Sequence, residues 1–223
     1  GTEFYGCSVK AGEWLFPKKI VNSSKFCVIH NAVDREKYKY SVQKREEIRG
    51  SMGITDQFVI GHVGNFCYQK NHYFLLDVFE EVHKKDPNTV LLLAGDGVRF
   101  EKVRQIVAEK NLEDVVKLLG RRSDTDYLYQ GMDAFLLPSN FEGLPIAGIE
   151  AQSAGLPCFM SDEITKESKI TEACYFIPLK SGAKYWAEEI LDNRIERQSA
   201  EFLDNAQQYD LANQDQELKS LIR

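Results

Sequence analysis

Long hydrophobic runs are missing from this chain of 223 residues, so no segment of it is expected to cross a bilayer, and no signal peptide is expected in it. The expectation is a protein soluble as given and cytoplasmic, at most peripheral at the inner face of a membrane in its full-length form. An excess of positive charge is missing as well. The 28 Lys and Arg stand against 34 Asp and Glu, a net charge of −6 with no basic block, which argues against binding a nucleic-acid backbone. Any phosphate must be met locally, by a few well-placed donors. Cysteine is sparse and unpatterned: Cys7, Cys27, Cys67, Cys158 and Cys174 are odd in number and contain no C-x-x-C. With no histidine cluster at zinc spacing beside them, they read as reduced, mostly packed thiols. Internal repeats and low-complexity segments are absent, and so is a G-x-G-x-x-G after a strand: Gly95-Asp96-Gly97 lacks the third glycine, which disfavours a dinucleotide-dependent oxidoreductase. The chain opens on Gly1-Thr2-Glu3-Phe4 without Met, and the expectation is that a native N-terminal portion has been removed.

What is present is an alternation. Buried strands are expected at 58–63, 90–94, 115–119, 134–137 and 156–160, with a weaker one at 175–177. Between them, Phe74, Leu75, Val78, Phe79 and Val82 share one helical face, as do Phe100, Val103, Ile106 and Val107. Ser123 followed by Asp126 is expected to cap a third helix. Such βα alternation implies a parallel sheet covered on both faces, a Rossmann-like doubly wound α/β fold whose ligands sit at the carboxyl ends of the strands. Residues 1–24 fit the pattern less well and read as the remnant of a preceding domain plus a linker. The main domain is expected over 25–195. The tail 196–223 is polar, with few apolar anchors, and is expected to be helical and to pack on something outside the chain or to fray.

The richest segment runs from Phe135 to Glu150. A strand ends at Pro138-Ser139, a loop carries Glu142 and Gly143, and a helix starts near Pro145, where a missing amide costs nothing. The first-turn amides of Leu144 and Ile146 then offer a phosphate site. Glu142 stands just before that helix and Glu150 about a turn and a half inside it. An isolated pair of this kind reads as a dipole-favoured helix-start acid and a solvated helix residue. In this setting it reads as two carboxylates flanking a phosphate, each able to accept sugar hydroxyls. His62 and His30 read as hydrogen-bonded structural histidines, and His72 and His83 as helix-end markers. Phe66 and Tyr68 fit loop packing as well as ligand stacking.

With Glu142 to Glu150 an E-x7-E, followed by Ala151-Gln152-Ser153-Ala154-Gly155-Leu156-Pro157, the chain resembles the retaining glycosyltransferase family 4, within it the bacterial exopolysaccharide and capsule enzymes. Val28-Ile29-His30-Asn31-Ala32-Val33-Asp34, Val63-Gly64-Asn65 with Lys70, and Leu93-Ala94-Gly95-Asp96-Gly97 carry the same resemblance in the family's order. It implies the C-terminal, donor-binding half of a two-domain GT-B enzyme, with the last strand and helix of the acceptor domain attached. By the same resemblance, Glu142 contacts the transferred sugar, Glu150 the ribose, and Lys70 the diphosphate and departing group. The amides around Gly143 and Leu144 face the distal phosphate, and backbone near Gly120, Arg121 and Arg122 reads the base.

The sequence departs from the family at two positions: Asn65 stands where an arginine usually shares the phosphate charge, and Asn71 where glycine is common. Arg121 or Arg122 is the nearest replacement cation, or donor affinity is lower. The resemblance further implies a UDP- or GDP-sugar as partner and no metal cofactor, in keeping with Asp124-Thr125-Asp126 opening a helix. The acceptor is a lipid-linked or growing glycan, and the isolated chain is expected to be inactive without its N-terminal domain. A non-catalytic nucleotide-sugar-binding module and a sugar-nucleotide epimerase of the same architecture are the alternatives.

Overall fold

The computed structural model describes residues 2–197, 199–214 and 219. Strand β1 (Phe4–Gly6), helices α1 (Val9–Leu15) and α2 (Lys18–Val21), and strand β2 (Phe26–Val28) form a small unit whose two strands pair in parallel. Two further helices, α3 (Arg35–Tyr38) and α4 (Val42–Ser51), lead into the main body. There the chain runs through β3 (Phe58–Val63), α5 (His72–Lys85), β4 (Thr89–Ala94), α6 (Phe100–Glu109) and β5 (Val116–Gly120). It continues through α7 (Thr125–Gly131), β6 (Ala134–Leu137), α8 (Ile146–Ser153), β7 (Cys158–Ser161), β8 (Cys174–Ile177) and α9 (Gly182–Asp192).

The six strands of the main sheet are all parallel, in the order β5-β4-β3-β6-β7-β8. Their side chains alternate between two cores. Val59, Leu92 and Phe135 face a core closed by Ile48, Leu128, Tyr129 and Ile149, from α4, α7 and α8. Ile60, Leu91 and Leu136 face the other, closed by Leu75, Phe79, Val103 and Trp186, from α5, α6 and α9. Burial on both faces explains why β4 is apolar except at its first residue, and each fully buried Leu or Ile stabilises the sheet by about 1.5–3 kcal/mol.

The strand order positions the site. From β3 the chain steps outward to β4 and β5, then returns across to lay β6, β7 and β8 on the other side of β3. The direction of winding reverses between β3 and β6, and at such a reversal the loops beyond the two carboxyl ends splay apart and leave a crevice. Here those loops are 64–71 and 138–145.

Several expectations are corrected in detail. The third helix starts one residue later than a Ser123 cap would place it: its N-cap position is Asp124, and no side chain caps it, because the Asp124 carboxylate is taken by Arg122. Pro145 is the N-cap of α8 rather than its first helical residue. The strand expected from 156 begins at Cys158. Through Gln214 the tail packs on the chain itself; residues 215–218 and 220–223 lie outside the described residues. Ala206 and Tyr209 are fully buried, Arg35 pairs with Asp210 at 2.6 Å, and Val33 bridges to Asp210. The anchor the composition hides is Arg197. Its buried guanidinium donates to the carbonyls of Met132 and Ala154, the C-caps of α7 and α8, at 2.9 and 2.8 Å. One cation thus satisfies terminal carbonyls of two helices at their negative ends.

Candidate functional site

The loop after β3 is shaped by close backbone contact. Gly64 donates its amide to Ala94, and the loop after β4 presses so near that a Cβ on Gly95, at φ 142°, would stand 1.9 Å from the Gly64 carbonyl oxygen. Only glycine fits there. The loop ends at Asn71, whose φ of 55° and ψ of 46° are left-handed and turn the chain into α5. Asparagine is among the few residues that tolerate this region, so Asn71 does the conformational task of glycine. The residue before it, Lys70, lays its stem against Gly64: a Cβ there would be 3.2 Å from Cε.

The loop after β6 is tied to the first. Asn140 donates its amide to the Gln69 carbonyl at 2.8 Å and its side chain to the Tyr68 carbonyl at 2.7 Å. Glu142 lies between them, 5% exposed, bridging to Ile164. Its Oε1 accepts from the Lys70 ammonium at 2.6 Å and the Ser139 hydroxyl at 2.9 Å, and its Oε2 from Gln69 at 2.9 Å. The structure therefore brings Gly64, Lys70 and Glu142 into one cluster at the crevice. Gly143 and Leu144 follow directly, and α8 then presents the amides of Ile146 and Ala147, first-turn donors without intrahelical acceptors. At Gly143 the chain is approached closely by α1: a Cβ there would be 2.9 Å from that of Ala11. Ser8, the N-cap of α1, donates to the Gly143 carbonyl at 2.8 Å.

Glu150 is partnered elsewhere. Its Oε1 accepts from the Tyr38 hydroxyl at 2.6 Å and its Oε2 from the Tyr129 hydroxyl at 2.9 Å. Burial, reinforced by the adjacent carboxylate, pushes both phenols above their ordinary range, so both stay protonated donors. Two donors leave lone pairs spare on a carboxylate that accepts about four hydrogen bonds. The two tyrosines escape sequence reading because Tyr38 sits in a short charged helix and Tyr129 in an unrelated one, far from Glu150 in sequence.

The arginines beside Asn65 separate. Arg122 is held by Asp124 through two hydrogen bonds, at 2.8 and 2.5 Å, whereas Arg121 lines a cavity of about 380 Å³ with Asn65, Asp96 and Gly97. The carbonyl of Gly120, at φ 63°, accepts the Gly95 amide at 2.8 Å. A cavity of about 470 Å³ between Gly155, Thr171 and Glu196 lies before the first residues of β7 and β8, at the end of the sheet away from the crevice.

Behind the Lys70 loop sit two buried histidines. His62 Nδ1 is 2.8 Å from the Leu136 carbonyl oxygen, which can only accept, so that nitrogen carries the proton. His72 stacks on the fully buried Phe66 at 4.0 Å, and burial pulls it down to about 4, with His62 also held well below its usual value. Both are neutral and shielded, structural rather than proton-transferring. Tyr68, by contrast, is exposed, with the Arg99 guanidinium 5.1 Å from its ring centre. Among the described residues no three His, Cys, Asp or Glu side chains gather as a metal site, and no helix is long and apolar enough to cross a membrane.

Solved structures share this architecture. The Anabaena protein Alr3699/HepE, in complex with UDP, superimposes with a TM-score of 0.82 at 21% identity, over 100% of this chain and 64% of that one. WaaG, a glycosyltransferase involved in lipopolysaccharide biosynthesis, does so with a TM-score of 0.63 at 19% identity, over 78% and 54%. These likenesses establish the fold, that of GT-B glycosyltransferases. In sequence, the chain is 34% identical over 167 residues to a protein of Bacillus subtilis (strain 168) named as the glycosyltransferase EpsF, covering 74% of this chain and 44% of the relative. It is 33% identical over 146 residues to the UDP-Gal:alpha-D-GlcNAc-diphosphoundecaprenol alpha-1,3-galactosyltransferase of Escherichia coli, covering 64% and 38%. The chain thus spans less than half the length of these relatives. The model of the family described as glycosyl transferases group 1 matches residues 44–208, which include β3 to β8 and both crevice loops. The chain belongs to the glycosyl transferases group 1 family.

Proposed function

We propose that this chain is the donor-binding part of a retaining glycosyltransferase of family 4 that takes a sugar from a nucleoside diphosphate for polysaccharide or glycoconjugate assembly. The observation that carries the reading is the meeting of Lys70 with Glu142 at the winding reversal between β3 and β6. A cation and a carboxylate placed there match the two halves of a nucleotide sugar, an anionic diphosphate and a hydroxyl-bearing ring. In this reading Glu142 accepts hydroxyls of the transferred sugar and Glu150 those of the ribose. Lys70 meets the diphosphate together with the amides of Gly143, Leu144 and Ile146, a preorganised set of donors for the charge that develops as the nucleotide leaves. Backbone at Gly120 to Arg122 reads the base. Arg121 supplies the second cation that Asn65 does not, since it faces Asn65 across a shared cavity while Arg122 is tied to Asp124. No divalent ion enters the reading.

Residues 1–24 belong in this view to the acceptor domain, 25–195 to the donor domain and 196–223 to the tail. The acceptor is a lipid-linked or growing glycan, by analogy with the acceptor in the Escherichia coli relative's name, and the site of action is cytoplasmic, at the inner membrane face. His62 and His72, the histidines nearest Lys70, are buried and held below their usual range, so in this reading the acceptor-side groups come from outside this chain. Asn65 favours a second reading, a nucleotide-sugar-binding module without catalysis. Calorimetric titration with UDP, GDP and ADP tests the assignment: at least one is expected to bind, and no binding by any of them at millimolar concentration defeats it. The chain alone is expected to transfer no sugar; transfer by the full-length protein separates the enzyme from the module.

A further inference from the structure

Lys70 and Glu142 are each other's partner in the structure, yet the reading above gives them different parts of a donor. Resting on that reading, we propose that Glu142 and the diphosphate compete for Lys70, so that this ion pair sets the preference of the site for a sugar-loaded nucleotide over a spent one. The pair is short, 2.6 Å, and its side chains are only 15% and 7% exposed. Among the described residues Lys70 forms no other ion pair. Its stem rests on Gly64, where the missing Cβ leaves the four-carbon chain room to pivot. The ammonium can therefore turn toward an incoming diphosphate, but only by leaving Glu142.

That departure is costly in a particular way. Glu142 keeps the Ser139 hydroxyl and the Gln69 amide, both neutral donors, and its buried charge loses its counter-ion. A sugar-loaded donor repairs the loss, because a ring hydroxyl can donate to Oε1 in the place the ammonium left. A nucleoside diphosphate has no such hydroxyl near Glu142. It takes Lys70 and returns nothing, so Glu142 draws the ammonium back. The same pair that lets the loaded donor in thus helps expel the spent nucleotide. Simple repulsion between the Glu142 carboxylate and the diphosphate has the same sign but does not need Lys70, and this separates the two causes.

The test is a double-mutant cycle read by calorimetry with UDP, on the chain and on its Glu142→Gln, Lys70→Met and doubly substituted forms. Glu142→Gln is isosteric; Glu142→Ala, with the same expected sign, is the second variant should the first disturb folding. Glu142→Gln is expected to bind UDP about tenfold more tightly than the unsubstituted chain, the lower end of coupling between close charge pairs. The gain is expected to vanish in the Lys70→Met background. Unchanged or weaker UDP binding by both Glu142 variants overturns the proposal. So does an equal gain with and without Lys70, which assigns the effect to repulsion alone. If the unsubstituted chain and every variant fail to bind UDP, GDP and ADP alike, the donor-site reading itself falls and the competition with it.

Discussion

At the scale of single residues, two asparagines stand where the family commonly has other residues, and the structure treats them differently. Asn71 keeps the backbone conformation that glycine serves, at φ 55°, so the loop that aims Lys70 is intact. Asn65 replaces a guanidinium by an amide, and a charge-assisted contact is about twice as strong as a neutral one. Sequence order alone offered Arg121 and Arg122 as equal substitutes. Side-chain geometry divides them, because the planar fork of Arg122 closes on Asp124 while Arg121 stays at the Asn65 cavity. Arg121→Ala is therefore expected to weaken binding of the nucleoside diphosphate that the chain prefers by about 1.5–3 kcal/mol, the range for hydrogen bonds to charged groups. Arg122→Ala is expected to change it by less than about 0.5 kcal/mol. Calorimetry on the two variants side by side decides it, and equal losses would count against Arg121.

Among the elements, legibility followed the kind of side chain that does the packing. β3, β4 and β6 were readable because their apolar runs are buried on both faces, and α5 because its apolar residues recur at helical spacing. α4 was not, since arginines stand beside Ile48 on its inward face. Arg45 and Arg49 both pair with Asp133, and Arg49 also donates to carbonyls of Gly131, Thr55 and Gln57. The same blindness hid the tail, whose anchor Arg197 is polar in composition and buried in fact. The Glu142–Glu150 segment was legible as a loop and helix following a strand, yet the partners of its carboxylates were not. Lys70 is 72 positions from Glu142 and Tyr38 112 from Glu150, contacts that only the strand crossover creates. Arg197→Ala leaves the Ala154 carbonyl without its side-chain donor and the Met132 carbonyl with Arg45 alone, and is expected to cost about 1–3 kcal/mol of stability. Chemical denaturation measures this; a change under about 0.5 kcal/mol would show that the tail only rests on the sheet.

For the molecule as a whole, the reversal of winding between β3 and β6 assembles the candidate site. The βα alternation in the sequence implied a parallel sheet but not which loops would become neighbours. Once β6 is laid beside β3, the loops carrying Lys70 and Glu142 face each other, and α8 follows with its first-turn amides at the same end of the sheet. The cavity near Gly155 and Glu196 is of comparable size but lies at the opposite strand ends, where no such set of donors converges. The two ends of the sheet therefore make opposite predictions about where a nucleotide goes. Amide-resolved NMR of the chain titrated with UDP and GDP tests this most directly. The account predicts that the largest shifts fall at 64–70, 120–122 and 142–147, and that Lys70→Met weakens them. Shifts centred on 155–156 and 171–173, or none with either nucleotide, would contradict it.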